Sequence, residues 1–180
     1  MKKEFHKEVE IPLGIEVFLE GNRIKITGPE GEIEKEFRTG KLDFKKNKNK
    51  IVLGYKKTTK KEKKLINTLI AHLKNMIKGV QKKFEYELKI CFSHFPITVE
   101  IRGRDVAIKN FLGESVARKM KILEGVEVKV EKDIIKISSV DKELAGQTAA
   151  NFETATKIRK RDKRVFQDGI FMINKAGREI

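Results

Sequence analysis

The sequence predicts an α+β protein of two similar domains, each an antiparallel sheet packed against one main helix. The first observation behind this is an internal repeat. When the chain is compared with itself at one constant shift, turn glycines and strand positions coincide without a gap over about sixty residues. Gly21 falls on Gly103, and Gly31 falls on Gly113. The second observation is that each half places short alternating segments before one amphipathic segment. A simpler interpretation stays open, because any two β-hairpins followed by a helix would look alike.

In the first half, strands are predicted wherever apolar and polar residues alternate. Residues 15–19 and 23–27 show this alternation, and a glycine-bracketed turn at residues 28–31 leads into a further strand. Residues 45–50 are too polar for a core, so we expect a loop there, followed by a strand over residues 51–55.

The second half opens with a pronounced strand, and the chain after Phe166 has no counterpart in the first half. Further strands are expected over residues 126–130 and 134–137, joined by a turn at Lys132-Asp133. In the opening strand, five side chains are expected to share one face: Phe84, Tyr86, Leu88, Ile90 and Phe92.

Each half also carries a helix start signal at the same place in the repeat. Thr59 and Glu62 match a capping box, and apolar residues follow at helical spacing up to Gly79, where we expect the helix to end. Asp141 occupies the place in the second half that Thr59 occupies in the first, and it is expected to cap the second helix. We therefore expect an N-terminal α+β domain over residues 1–79 and a C-terminal α+β domain over residues 80–180.

The composition indicates a polyanion as partner. The chain has a formal net charge of +15 and a sequence pI near 9.8, and nucleic acid is the commonest partner of such a surface. No run of 18 apolar residues is present, and the N-terminal residues lack the apolar stretch of a signal peptide, so we expect no membrane partner. The single cysteine excludes an internal disulfide framework and fits a reducing, cytoplasmic setting.

Two segments concentrate the positive charge. Residues 41–64 carry eleven lysines, and a loosely solvated surface explains them as well as a contact does, so no contact is assigned there. Residues 157–164 hold six basic residues and one acid in eight. Arginine binds phosphate in a bidentate manner, so this segment is the better candidate, with these residues expected at RNA: Lys157, Arg159, Lys160, Arg161 and Arg164.

The second helix contains small residues and two amides. Gly146 costs helix stability, which a close approach of another backbone would explain, and Gln147 and Asn151 lie one turn apart on one face. Amides with small neighbours suit contact with RNA sugar edges and phosphates, but tight packing of helix on sheet explains the small residues equally well. Thr148 and Phe152 lie on the adjacent face and are expected to meet the sheet.

No catalytic, metal or cofactor site can be built from the sequence. Cys91 and His94 are only two potential ligands where a structural zinc needs four, and no phosphate-binding Gly-Lys-Ser/Thr motif is present. Most of the eleven phenylalanines fall on alternating core faces, so binding of single strands by stacking is weakly supported. Recognition of folded RNA by groove shape and backbone contacts fits better.

Three C-terminal motifs carry a family resemblance. They are Gly146-Gln147 with Ala149-Ala150-Asn151, then Arg164-Val165-Phe166-Gln167-Asp168-Gly169-Ile170-Phe171, then Lys175-Ala176-Gly177. In the first half, Ile11-Pro12, Gly21-Asn22 and Thr27-Gly28-Pro29-Glu30-Gly31-Glu32 match as well. Together they closely resemble universal protein six of the large ribosomal subunit, in its archaeal and eukaryotic branch, over essentially the whole chain.

The resemblance implies a structural, non-enzymatic constituent of the large ribosomal subunit, built from two duplicated domains. It implies rRNA contacts made mainly by the C-terminal domain, a position near the factor-binding region, the sarcin–ricin loop and the stalk base, and neighbouring ribosomal proteins and translation factors as partners. The residues that it marks are Gly146, Gln147, Asn151, Asp168, Gly169, Lys175, Ala176 and Gly177.

Individual roles follow from the chemistry of these residue types. Lys175 would neutralise phosphate, Gly177 would permit a turn near RNA, and Asp168 would hold the Gly169 turn, because a carboxylate repels phosphate. One alternative is a free-standing RNA-binding module in RNA processing or regulation. A second alternative is an RNA-modifying enzyme, which no group of catalytic residues supports.

Overall fold

The computed structural model describes residues 3–37, 43–47, 49–162 and 164–180. The chain forms two compact units, Met1–Lys83 and Phe84–Ile180, which we call the N-terminal unit and the C-terminal unit. In the described part of the chain, no helix is both long and apolar enough to cross a bilayer.

The described residues of the N-terminal unit form two three-stranded antiparallel sheets and one helix. One sheet has the order β1 (Lys3–Glu10), β6 (Lys50–Thr58), β5 (Asp43–Asn47), and the other has the order β2 (Glu16–Glu20), β3 (Arg23–Gly28), β4 (Gly31–Glu36). Helix α1 (Lys60–Gln81) contacts strands of both sheets. Its buried stripe recurs at helical spacing, as expected for a helix that covers a sheet: Ile66, Leu69, Ile70, Leu73, Met76, Ile77, Gly79 and Val80.

In the C-terminal unit, the part of the chain that the structure describes forms one three-stranded and one five-stranded antiparallel sheet. The smaller sheet has the order β10 (Arg118–Lys121), β9 (Asp105–Lys109), β8 (Thr98–Arg102). The larger sheet has the order β11 (Glu127–Glu131), β12 (Ile134–Ser139), β7 (Phe84–Cys91), β13 (Gly169–Lys175), β14 (Arg178–Glu179). Helix α2 (Lys142–Ala155) contacts β7, β12 and β13, and a 3₁₀ turn, Phe111–Gly113, follows β9.

The internal repeat reappears in the strands and helices. Strands β2 and β8 begin and end at equivalent positions of the repeat, and α1 and α2 begin at equivalent positions. The sheet order β7, β12, β11 repeats the order β1, β6, β5. Strands β13 and β14 have no counterpart in the repeat among the described residues of the N-terminal unit, in agreement with the expectation for the chain after Phe166. The predicted α+β class with two similar domains is confirmed.

Both predicted helix starts are also confirmed. At α1 the Glu62 carboxylate accepts a hydrogen bond from the Thr59 backbone N–H within a capping box, and at α2 Asp141 Oδ1 accepts from the Glu143 backbone N–H at 2.8 Å. The predicted end of α1 was wrong. Gly79 lies buried inside the last turn and the helix continues to Gln81, so the first compact unit extends to Lys83.

Two strand predictions require correction. The predicted loop at residues 45–50 contains the end of β5 and the first residue of β6. Strand β5 lies at the edge of its sheet, where lysines can reach outward while the backbone pairs with β6. Phe92 does not share the buried face of β7, because that strand ends at Cys91 and the Phe92 ring is 42% exposed. Strand β1, which we did not predict, occupies the place in the repeat that corresponds to β7.

Candidate nucleic-acid interface

Helix α2 presents two amides on the side opposite its buried face. Ala145, Thr148, Ala149 and Phe152 are buried against the sheet, as the sequence predicted for Thr148 and Phe152. Gln147 Nε2 donates a hydrogen bond to Asn151 Oδ1 at 3.0 Å. This bond orders two polar side chains one helical turn apart before any ligand arrives.

Gly146 packs helix against sheet. A Cβ atom at this position would lie 3.2 Å from the Tyr86 hydroxyl oxygen, closer than an ordinary van der Waals contact. Tyr86 is buried in β7, its hydroxyl donates to the Lys142 carbonyl oxygen at 3.4 Å, and burial raises the pKa of its phenol. The structure therefore supplies the packing reason for the glycine, and an RNA contact at Gly146 stays a prediction.

The basic segment 157–164 leaves α2 at a well-anchored point. Thr156 Oγ1 accepts a hydrogen bond from the Ile170 N–H at 3.0 Å, which joins the helix end to β13. Arg118 donates to the carbonyl oxygens of Ala155 at 2.8 Å and Lys157 at 3.2 Å. Arg118 was not among the predicted site residues, because its role depends on a chain segment that is distant in sequence.

The predicted basic residues of this segment are all exposed, and Lys163 lies outside the described residues. The exposed residues are Lys157, Arg159, Lys160, Arg161 and Arg164. The Arg161 guanidinium lies 4.8 Å from the centroid of the Phe166 ring. Arg164 pairs with Asp162 at 2.8 Å, and that pairing lowers the pKa of the Asp162 carboxyl. A phosphate bound at Arg164 would have to displace or share this carboxylate.

Asp168 is 4% exposed and lies just before β13. Its Oδ1 accepts hydrogen bonds from the Ser93 hydroxyl at 2.7 Å and the Ser93 backbone N–H at 3.2 Å. The expected role of holding the Gly169 turn stays a prediction, and the structure adds a further contact. The carboxylate ties the loop after β7 to the segment that enters β13, two places that are far apart in sequence.

Lys175, Ala176 and Gly177 form the tip of the β13–β14 hairpin. Ala176 and Gly177 have φ values of 52° and 87°, the left-handed region that a two-residue hairpin turn of type I′ requires at both central positions. The Gly177 N–H donates to Asn174 Oδ1 at 3.0 Å. The turn predicted for Gly177 is therefore present.

The structure does not bring all the predicted residues together. Residues 168–169 and 175–177 lie at opposite ends of β13, about 20 Å apart at ~3.3 Å per residue. Helix α2 runs between these ends, since Gly146 packs on Tyr86, the partner of Lys175, while Thr156 bonds to Ile170. We call the end at residues 175–177 the hairpin end of the C-terminal unit. The end at residues 168–169 is called the cavity end, after the cavity described next.

The cavity end contains residues that the sequence analysis missed. A cavity of about 770 Å³ opens there between the loop after β7, the end of α2 and the start of β13. Phe92 and Phe171 line it and are 42% and 46% exposed, and Phe95, close to the cavity in sequence, is 41% exposed. The expectation that most aromatic rings are in the core was wrong here. Phe92 and Phe95 follow the end of β7, where alternation no longer predicts burial, and Phe171 takes an exposed position of β13 next to buried Ile170.

Within the described ranges, no group of three or more histidine, cysteine or acidic residues could hold a metal ion. Residues 41, 42 and 48 of the lysine-rich segment 41–64 lie outside the described residues. Most of the remaining residues belong to β5, β6 and the start of α1.

Comparison with known proteins decides the family. A model of the family described as ribosomal protein L6 matches this chain twice, over residues 11–83 and 95–169. The chain belongs to the ribosomal protein L6 family. Each matched segment lies inside one compact unit, so the internal repeat is a repeat of the family's own unit.

Curated archaeal relatives named large ribosomal subunit protein uL6 support the same conclusion. The protein of Methanobrevibacter smithii is 45% identical over 94% of this chain and 95% of its own length. The proteins of Sulfurisphaera tokodaii and Ignicoccus hospitalis are each 44% identical, over 94% and 93% of this chain and 92% of their own lengths. As a member of the L6 family, the chain is a structural ribosomal protein of the large subunit rather than an enzyme, and it resides on the cytoplasmic ribosome.

Proposed function

We propose that this L6-family protein binds folded large-subunit rRNA mainly through its C-terminal unit. The observation that carries the proposal is the basic segment 157–164, whose described basic residues are exposed and whose start is held in place by the Arg118 hydrogen bonds at the end of α2. An anchored arginine-rich segment can bind phosphates with a smaller loss of conformational entropy than a free tail.

The binding surface that we propose runs along α2. At the cavity end, Lys157, Arg159, Lys160, Arg161 and Arg164 bind phosphates, and Asp168 and Gly169 shape the adjoining backbone. Along the helix, Gln147 and Asn151 contact sugar edges or phosphates, and Gly146 adjoins them on α2. At the hairpin end, Lys175 binds a phosphate while Ala176 and Gly177 bring backbone close to the RNA. The two ends, about 20 Å apart, are spaced to contact separate parts of a folded RNA.

We also propose the position that the family resemblance implies, near the factor-binding region, the sarcin–ricin loop and the stalk base. Neighbouring ribosomal proteins and passing translation factors are then the protein partners. Hydroxyl-radical footprinting from probes attached near residue 160 would test this position, and cleavage confined to other rRNA regions would contradict it.

The binding surface is tested by replacing Arg159, Arg161 and Arg164 with alanine. If each contacts one phosphate, the log–log salt slope for rRNA binding should fall by about 2 to 3, at ~0.7–0.9 per contact. The matched control removes the same charge elsewhere in the unit by replacing three exposed lysines with alanine: Lys119, Lys121 and Lys129. The control should alter the slope much less. Equal slopes for the two triple variants would show that net charge alone drives binding and would remove segment 157–164 from the interface.

A further inference from the structure

We infer that the cavity lined by Phe92 and Phe171, here called the Phe92–Phe171 cavity, takes one unstacked nucleobase of the bound rRNA, and that this base carries an amino group. The inference rests on the proposed rRNA binding and adds a base-specific site to it. The cavity volume of about 770 Å³ lies within the ~300–1,000 Å³ of typical ligand sites.

Two phenylalanine rings form stacking walls. The C-terminal unit buries Phe111 and Phe152 almost completely, yet it leaves Phe92 and Phe171 more than two-fifths exposed in the lining of one cavity. Exposed aromatic rings beside a basic surface are the platforms on which proteins stack unpaired bases.

Gly169 makes room for one of these walls. A Cβ atom at position 169 would lie 3.0 Å from the Phe171 ring, so any larger residue would push the ring away from its place. This contact gives the glycine that precedes Phe171 a role in shaping the cavity.

Asp168 supplies an acceptor in the cavity wall. The hydroxyl and backbone N–H of Ser93 donate hydrogen bonds to Asp168 Oδ1. Asp168 Oδ2 accepts no hydrogen bond from the described residues, although the residue is almost fully buried in the cavity wall. A carboxylate repels phosphate but accepts hydrogen bonds from the amino groups of bases, as it does from the cytosine amino group in base readout. Uracil has no amino group, so the site should disfavour it.

The charges around the cavity fit a nucleotide. Lys157 lines the cavity, and Arg161 lies over the ring of Phe166, which also lines it. A base held in the cavity would therefore place its phosphates beside the basic segment 157–164, whereas an uncharged apolar ligand would make no use of these charges.

The test uses the full chain with octanucleotides of cytidine and of uridine at low ionic strength. Cys91, the only cysteine, lines the cavity, so its rate of alkylation by N-ethylmaleimide reports occupancy directly. We expect the cytidine octamer to bind at least about fivefold more tightly than the uridine octamer and to slow the alkylation of Cys91.

Two variants separate stacking from base choice. Phe92→Leu with Phe171→Leu keeps apolar walls without aromatic faces and should weaken cytidine binding about tenfold or more. Asp168→Asn keeps an acceptor for Ser93 but exchanges Oδ2 for a donor, and should remove the preference for cytidine. The control Phe18→Leu changes a phenylalanine that is 52% exposed in the N-terminal unit and should leave both readouts unchanged.

Three outcomes would overturn the inference. Equal binding of the two octamers by the unchanged protein would exclude the role of Asp168, and unchanged alkylation of Cys91 at saturating octamer would place the RNA elsewhere. Alkylation slowed in whole large subunits but not by isolated rRNA would assign the cavity to a neighbouring protein. Binding of large-subunit rRNA is measured in the same samples, so its loss in the unchanged protein would instead refute the proposed function.

Discussion

Replacing Thr148 with valine should stabilise the C-terminal unit. Thr148 is fully buried on α2, and its hydroxyl oxygen has no hydrogen-bond partner among the described residues. A buried hydroxyl without a partner costs about 1–3 kcal/mol. The internal repeat shows that the fold accepts an aliphatic residue here, since the equivalent position in the N-terminal unit is Ile66, which is also fully buried.

The expected gain follows from this cost. Valine has nearly the volume of threonine and a similar helix propensity, so the change removes mainly the unsatisfied hydroxyl. We expect the free energy of unfolding to rise by about 1–2 kcal/mol, which is the lower part of that range. At an m-value of ~2 kcal/mol per molar urea, the denaturation midpoint of the C-terminal unit should rise by roughly 0.5–1 M.

The assay is urea denaturation followed by far-ultraviolet circular dichroism, with Thr68→Val as the control. Thr68 is an exposed helical threonine on α1 whose hydroxyl already donates to the Lys64 carbonyl oxygen at 3.0 Å. Its replacement should leave the midpoint unchanged or slightly lower. An unchanged or lower midpoint for Thr148→Val would mean that the buried hydroxyl is satisfied, and the reasoning would be refuted.

Two further predictions concern α2 and its anchor. Replacing Gln147 and Asn151 together with alanine should weaken rRNA binding, measured by filter binding, without lowering the melting temperature, measured by calorimetry. Intact affinity together with a large fall in melting temperature would assign the two amides to packing. Hydrogen bonding to Arg118 holds the pKa of Glu114 below its ordinary value of 4.5. The stability from this pair should therefore be complete above pH 4.5 and fall away as the pH drops through the lowered pKa. Urea midpoints of the unchanged protein and Glu114→Gln should differ near neutral pH and converge in acid, and a difference that persists in acid would exclude the charge as its cause.

Features that depend on neighbouring residues along the chain were predicted well. The caps at Thr59 and Asp141, the buried face of α2 and the turn at Gly177 all follow from spacings of a few residues, which a sequence displays directly. The internal repeat predicted the duplicated architecture because each unit repeats the same local patterns in the same order. The C-terminal motifs predicted the family, which the comparisons confirm.

Features that depend on which distant segments meet were not predicted. Phe92 was predicted to lie in the strand, yet it belongs to the loop after β7. There Phe92 lines the cavity and Ser93 is the hydrogen-bond partner of Asp168. The lysines of β5 were read as a loop, although pairing with β6 makes them an edge strand. Arg118 could not be connected to the end of α2 from any local pattern.

By itself, the sequence determined the fold class, the duplication, the helix starts and the family of this protein. Tertiary structure alone decided that the predicted site residues occupy two ends of one unit, that Gly146 lies against Tyr86, and that two phenylalanine rings stay exposed around a buried carboxylate. The physical reason is that periodicity and capping depend on hydrogen bonds and side-chain spacing within a few residues. Burial and contact depend on how segments far apart in the chain pack against one another.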